Sequence, residues 1–248
     1  MLSPEETARY RRQIDLPEIG PEGQERLRQS RVLVVGVGGL GSPVALYLAA
    51  AGVGTLGLAD PDRVDTGNLQ RQVIHTTRNR GKDKIDSAAE ALSALNPTVT
   101  VRRHPVFLTA ENAGALVAQY DIAVGCLDNF PARYVLNRAC FESGKANVFG
   151  SVARFEGQAS VFAPPGPCYQ CFFRQPPPED YTPTPAENGI IGPAAGIIGC
   201  IQAMETIKTL LGIGRTLSGR LLLMDALAMT FRELAIKPDP DCPVCGRK

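Results

Sequence analysis

The sequence predicts an α/β fold, a Rossmann-like, mostly parallel sheet continued by antiparallel strands and tied by a four-cysteine cluster. Three observations predict it. A buried strand runs into a glycine turn and a helix start at Val32-Leu-Val-Val-Gly-Val-Gly-Gly-Leu-Gly41. Apolar strands then alternate with helical patterns as far as Gly150, after which period-two alternation takes over. Two Cys-x-x-Cys pairs, Cys168/Cys171 and Cys242/Cys245, stand far apart in the chain. Each pair has the spacing of two corners of a tetrahedral zinc site, and four thiolates would leave the metal no open position, so a structural site is expected. The cytoplasmic reading given below disfavours disulfides, and the presence of two such pairs disfavours a redox Cys-x-x-Cys.

Residues 1–30 form a charged N-terminal arm, helical in pattern, and residues 31–150 the nucleotide-binding α/β part. Within 31–150, the glycine turn feeds a helix through Ala51 that ends near Gly52 and Gly54. The strand Thr55–Ala59 ends at Asp60. Residues 61–81 are polar and loop-like, and Asn96-Pro97 stops a helix that begins near Lys82. Val99 and Val101 mark a strand, Ala110–Gln119 a helix and Asp121–Cys126 a buried parallel strand. A helix from Pro131 to Ser143 and a strand from Ala146 to Phe149 follow.

Residues 151–248 read as strands Glu156–Phe162, Arg220–Met224 and Thr230–Ile236, with a long apolar helix from Pro193 to Leu211 and the zinc pairs. Between them, Pro164–Pro185 is too rich in proline for regular structure and reads as a mobile crossing loop. The whole of residues 1–248 is expected to form a single domain.

Composition narrows the function classes. Of the 248 residues 21% are charged and the formal net charge is +1, so no global field points to nucleic acid or an acidic membrane surface. No uninterrupted apolar stretch reaches the roughly 20 residues of a membrane helix. The start Met1-Leu-Ser-Pro-Glu-Glu lacks a secretory pattern, and the expectation is a cytoplasmic protein. Cys126, Cys140 and Cys200 sit in apolar segments and read as small buried residues.

Gly36, Gly38 and Gly41 match G-x-G-x-x-G, the spacing that brings backbone and helix N-terminus against a phosphate. Asp60 stands where such folds set a carboxylate against a ribose hydroxyl. The identity of the nucleotide is open at this point. Segment 60–84 then supplies Asp60, Asp62, Asn68, Arg71 and Lys84, and Asp128 ends a parallel strand where a carboxylate could hold Mg²⁺. Cations there suit a triphosphate under attack better than hydride transfer. An NAD(P)-dependent oxidoreductase and a non-catalytic carrier-binding module are the rival readings. The former lacks an evident acid, because His75 and His104 read as structural or surface residues.

Arg9-Tyr-Arg-Arg-Gln-Ile14, the glycine turn, Asp60-Pro-Asp62, Asn68-Leu-Gln-Arg-Gln72, Asp128-Asn129, Gln202-Ala-Met-Glu-Thr-Ile-Lys208 and the cysteine pairs together resemble the MoeB/ThiF/HesA family, bacterial relatives of ubiquitin-activating enzymes. The resemblance implies a homodimer that uses Mg-ATP to adenylate the C-terminal glycine of a Gly-Gly-ended ubiquitin-like sulfur carrier of the MoaD or ThiS type. A separate sulfurtransferase then supplies sulfur, toward molybdopterin, thiamin or another product. It implies ATP contacts from Gly36, Gly38, Gly39, Gly41, Asp60, Asp62, Asn68, Arg71, Gln72, Lys84, Asp128 and Asn129. Arg12, Arg71, Lys84 and Asp128 become catalytic, Arg12 by reaching across the dimer and Asp128 by managing Mg²⁺.

One departure stands out. Family members of the ThiF and ubiquitin-activating kinds carry a cysteine in the crossing loop, where this chain has Tyr181-Thr-Pro-Thr-Pro-Ala-Glu-Asn-Gly189, with Pro185 at the cysteine position. Adenylation without a covalent thioester or persulfide at that loop is the resulting expectation.

Overall fold

The computed structural model describes residues 2–176 and 189–246. The arm folds as α1 (Pro4–Arg9), α2 (Arg11–Ile14) and α3 (Gly20–Gln29). Ser3 and Glu6 close a capping box over α1. Tyr10, between α1 and α2, is the arm's anchor. Its ring is buried, and its hydroxyl accepts from Asn96 Nδ2 at 2.8 Å and meets Thr98 Oγ1 at 3.2 Å.

The body continues with β1 (Arg31–Val35), α4 (Gly41–Ala50), β2 (Thr55–Ala59), α5 (Lys84–Leu95), β3 (Thr100–His104), α6 (Ala110–Val117), β4 (Ile122–Gly125), α7 (Phe130–Glu142) and β5 (Ala146–Ala153). Next come β6 (Glu156–Phe162), α8 (Tyr169–Phe172), α9 (Gly192–Leu211), β7 (Arg220–Asp225) and β8 (Thr230–Ala235). One sheet holds all the strands in the order β3-β2-β1-β4-β5-β6-β7-β8. Pairing is parallel from β3 to β5 and antiparallel from β5 to β8. The sheet therefore reverses its order between β1 and β4, the switch point at which open α/β sheets take ligands.

Alternation along β1 divides the core. Val32 and Val34 face α4, α5 and α9 in one cluster with Leu48, Leu92 and Ala203. Leu33 and Val35 face α6 and α7 on the other side, with Leu116, Leu136 and Cys140. Burial on both faces is why β1 and β4 read as unbroken apolar runs.

Several boundaries differ from the sequence reading. Helix α5 starts at Lys84 rather than Lys82, because Lys82 lies in a turn whose carbonyl accepts from Val64 N at 2.8 Å. Strand β5 runs on to Ala153 instead of stopping at Phe149, since its second half is the first arm of the hairpin with β6. The proline-rich stretch is not irregular throughout: α8 interrupts it, driven by Tyr169, which is fully buried with Phe149, Phe162, Leu221 and Ile236. The remainder of that stretch around Pro185 lies outside the described residues.

Helix α9 is long and apolar: an 18-residue window of its 20 residues has a mean hydropathy of 1.2, the measure of a membrane span by length and composition. Gln202, Glu205 and Lys208 nevertheless interrupt the run, as the sequence reading expects. Here it packs on α4, β5 and β6, and its buried Glu205 pairs with Lys208 and accepts from Leu217 N at 2.6 Å. The apolar character of α9 is that of a helix laid across a sheet.

Tyr10→Phe removes one hydrogen-bond partner of the buried Asn96 amide and leaves the ring in place. The variant should lose about 1 kcal/mol of stability, read as a lower urea midpoint at unchanged slope.

Candidate active site

A cleft of about 350 Å³ opens at the switch point between β1 and β4. Its floor is set by close backbone packing. Gly36 turns out of β1 at φ 91°, and a Cβ there would fall 2.5 Å from the Cys126 carbonyl oxygen. A Cβ on Gly41 would fall 2.0 Å from the Gly36 carbonyl oxygen, so the first turn of α4 can rest on the end of β1 only without a side chain. The N-terminus of α4 thereby faces the cleft, a position favourable to anions. The start of α7, capped by Asn129 Oδ1 accepting from Ala132 N at 2.9 Å, faces it from the other side.

Asp60 ends β2 and is almost fully buried. Its Oδ2 accepts from Val37 N at 2.7 Å and its Oδ1 from Asp62 N at 2.9 Å. Lys84, buried at the head of α5, donates to Asp62 Oδ2 at 2.8 Å, and Asp62 itself is exposed. Arg71 is held by Asn68 Oδ1 at 3.0 Å and by the Gly67 carbonyl at 3.2 Å. Gln72 is buried, and its Oε1 has no hydrogen-bond partner among the described residues although the residue lines the cleft. Asp128 and Asn129 are exposed at the mouth, 3.3 Å apart.

Of the predicted residues, Gly36, Gly38, Gly39, Asp60, Asp62, Arg71, Gln72, Lys84, Asp128 and Asn129 line this one cleft. Three others stand back from it. Gly41 packs beneath the turn, Asn68 holds Arg71, and Arg12 is exposed on α2.

The cleft also contains residues that sequence reasoning missed. Val106, Phe107 and Leu108 form an apolar wall just after β3, and Phe107 is 71% exposed. An unpartnered aromatic at the carboxyl end of a parallel strand was the available signal. Arg133, one turn into α7, donates from Nε and Nη2 to the Leu127 carbonyl at 3.1 and 2.9 Å and reaches Ser151 Oγ at 2.9 Å. Its guanidinium carbon lies 5.2 Å from the Phe130 ring centroid and 5.6 Å from that of Phe149. No sequence spacing announces that clamp.

None of the remaining cysteines is prepared for nucleophilic attack. Burial pushes the Cys126 thiol far up, raises that of Cys140 to about 12 and raises that of Cys200. The histidines are engaged structurally: His104 meets Tyr120 Oη at 2.6 Å, and His75 is bonded on both ring nitrogens. Away from the cleft, the Sγ atoms of Cys168, Cys171, Cys242 and Cys245 all lie within 4.8 Å of one another. Among the described residues this is the one cluster of three or more His, Cys, Asp or Glu side chains placed to hold a metal. It joins the α8 loop to the C-terminal tail, and Asp239 N donates to Cys171 Sγ at 3.4 Å.

The chain is 50% identical to the sulfur carrier protein adenylyltransferase of Thermus thermophilus, over 98% of this chain and 92% of the relative. It is 48% identical to the SAMP-activating enzyme E1 of Haloferax volcanii, over 96% of this chain and 88% of that one. Bovine MOCS3, named an adenylyltransferase and sulfurtransferase, is 48% identical, and this chain spans 55% of its length. Mycobacterium tuberculosis MoeZ is likewise longer, with 63% of it spanned. Among solved structures, PaaA superposes with a TM-score of 0.81 at 25% identity, over 96% of this chain and 76% of that one. Escherichia coli MccB crystallised with ATP gives 0.80 at 21% identity, over 90% and 69%, a likeness of fold. The family model described as the ThiF family matches residues 10–244, and the chain belongs to that family.

Proposed function

We propose that this chain is an adenylyltransferase that activates the C-terminal glycine carboxylate of a small ubiquitin-like sulfur carrier with ATP and releases pyrophosphate. The observation that carries the reading is the convergence of Arg71, Lys84 and the α4 N-terminus on one cleft whose far wall is apolar. An apolar wall with Phe107 suits a base, and fixed cations suit the phosphates. The names of the Thermus, Haloferax and bovine relatives support the same class of reaction.

A carboxylate that attacks the α-phosphate approaches another anion, and the transition state concentrates charge on the non-bridging oxygens. Arg71 and Lys84 are pre-placed, each by a neighbouring acceptor, so little reorganisation is needed as that charge develops. The unpartnered Gln72 carbonyl and the buried Asp60 carboxylate are acceptors for ligand hydroxyl or amino groups. Asp128, with Asn129 beside it, is the residue we assign to hold Mg²⁺, which would supply charge neutralisation at the polyphosphate. A lone protein carboxylate suits Mg²⁺, which is commonly held by one or two carboxylates together with waters and phosphates. Arg12 is assigned to the neighbouring cleft of a homodimer, in line with its exposure on α2.

The cysteine cluster fits zinc. Tetrahedral zinc with Zn–S bonds of about 2.3 Å sets sulfurs roughly 3.8 Å apart, and Cys168 and Cys242 lie 3.6 Å from each other with no disulfide formed. We assign it a structural role, holding the tail to the α8 loop. With Pro185 at the crossing-loop cysteine position and burial raising the Cys126, Cys140 and Cys200 thiols, we assign sulfur delivery to a separate sulfurtransferase.

Arg71→Ala and Arg12→Ala should fold and slow carrier-dependent ATP–pyrophosphate exchange at least about a hundredfold, by analogy with the loss of one charge-stabilising donor. Exchange at the wild-type rate in both variants would overturn the assignment. Cys168→Ser should release metal, measured by elemental analysis, and expose the tail to protease; one retained zinc per chain would place the ligands elsewhere. A carrier adduct that survives denaturation and yields to thiol would show a covalent step that this reading does not contain.

A further inference from the structure

His75 is 5% exposed and is not among the residues that line the cleft, yet it is hydrogen-bonded to three segments that do line it, the glycine turn, the Asn68–Gln72 segment and α5. Its Nε2 lies 3.0 Å from the Val37 carbonyl, in the glycine turn between Gly36 and Gly38. Its Nδ1 lies 2.9 Å from Ser87 Oγ, one turn beyond Lys84 on α5. Its own backbone N donates at 3.0 Å to the carbonyl of Gln72, in the segment that carries Arg71. A carbonyl can only accept, so Nε2 carries the proton, and in the neutral ring Nδ1 receives the Ser87 hydroxyl. Val37 is thereby held on both sides of its Cα, its N–H by Asp60 and its carbonyl by His75.

We propose that His75 is the positioning residue of the phosphate cradle, cross-linking the glycine turn, the Asn68–Gln72 segment and the head of α5 so that ATP meets a preset array. The inference rests on the adenylation reading and adds to it a residue that acts through Val37 and Ser87 without touching nucleotide. Burial lowers the imidazole pKa below its ordinary 6.5, with Lys84 pushing in the same direction and Asp60 and the Val37 carbonyl opposing. A neutral ring satisfies both bonds, donating at Nε2 and accepting at Nδ1. Donors held in advance lose less ordering entropy on binding, which is how a buried residue enters the affinity for a ligand.

The test measures ATP affinity by calorimetry and carrier-dependent pyrophosphate exchange for the full chain, with His75→Ala, His75→Leu and His75→Gln beside wild type. His75→Ala should bind ATP about tenfold or more weakly, the effect of losing a buried hydrogen bond, while the KM for carrier and the metal content stay at wild-type values. His75→Leu keeps most of the volume and should show the same ATP defect even if the alanine variant fails to fold. His75→Gln can donate again to the Val37 carbonyl and should recover most of the affinity. Wild-type ATP affinity in folded His75→Ala or His75→Leu overturns the proposal, as does a glutamine variant no better than leucine. Wild-type protein that neither binds ATP nor exchanges pyrophosphate would instead remove the adenylation reading and this proposal with it.

Discussion

The approach of the β1 turn to the end of β4 governs the candidate site. A single methyl at position 36 would sit 2.5 Å from the Cys126 carbonyl oxygen, and one at position 41 would sit 2.0 Å from that of Gly36. Those clearances let α4 begin directly over the strand ends, which in turn points its N-terminal end toward the cleft. Interiors at native packing density transmit such a constraint, because no slack exists to absorb it. The positions of Asp60, His75 and Gln72 follow, each bonded to or packed against the turn through a backbone group or an adjacent glycine.

Charge placement obeys a second constraint. Lys84 is buried, and a buried ammonium is tolerable only with a partner close by. Asp62 supplies that partner from the exposed side, where an incoming polyphosphate could replace or share it without leaving the lysine unpaired. Arg71 is held by neutral acceptors, an amide and a carbonyl, and so retains its full charge for a ligand. Arg133 resembles Arg71 in being held by a carbonyl, but its stacking against Phe130 and Phe149 turns it toward bracing the corner that carries Asp128.

How far the sequence could be read depended on whether a feature is local. The glycine turn, the Asp60 strand end and the paired cysteines are short-range patterns with a physical reason for their spacing, and the structure brings each set together. The length of β5 was not legible, because its extension beyond Phe149 is decided by pairing with β6. Helix α8 escaped notice for a similar reason: prolines argue against regular structure, whereas burial of Tyr169 among aromatics from β5 and β6 argues for one turn of it. The apolar wall at Val106–Leu108 and the Arg133 clamp depend on tertiary contacts across the sheet end. Roles that reach a second copy of the chain, as assigned to Arg12, have no local signature except exposure.

The cysteine cluster and the cleft, though separate, share a structural path through α7. Tyr169, next to Cys168, stacks on Phe173 with ring centroids 4.8 Å apart and donates its backbone N to Asn137 Oδ1 at 2.8 Å on α7. Tyr134, also on α7, donates to the Phe173 carbonyl at 2.8 Å, and Phe149 links this aromatic group to the underside of Arg133. The N-terminus of the same helix presents Asn129 and follows Asp128. A metal bound at the cluster would therefore do more than retain a tail. It would add to the Asn137 and Tyr134 bonds that hold the α8 loop against α7, and α7 sets where the cleft's exposed carboxylate stands. Stability in a fold of this size is a small difference between large terms, so a tie on one flank of α7 can hold the geometry of the other flank while leaving the mouth of the cleft open to ligand.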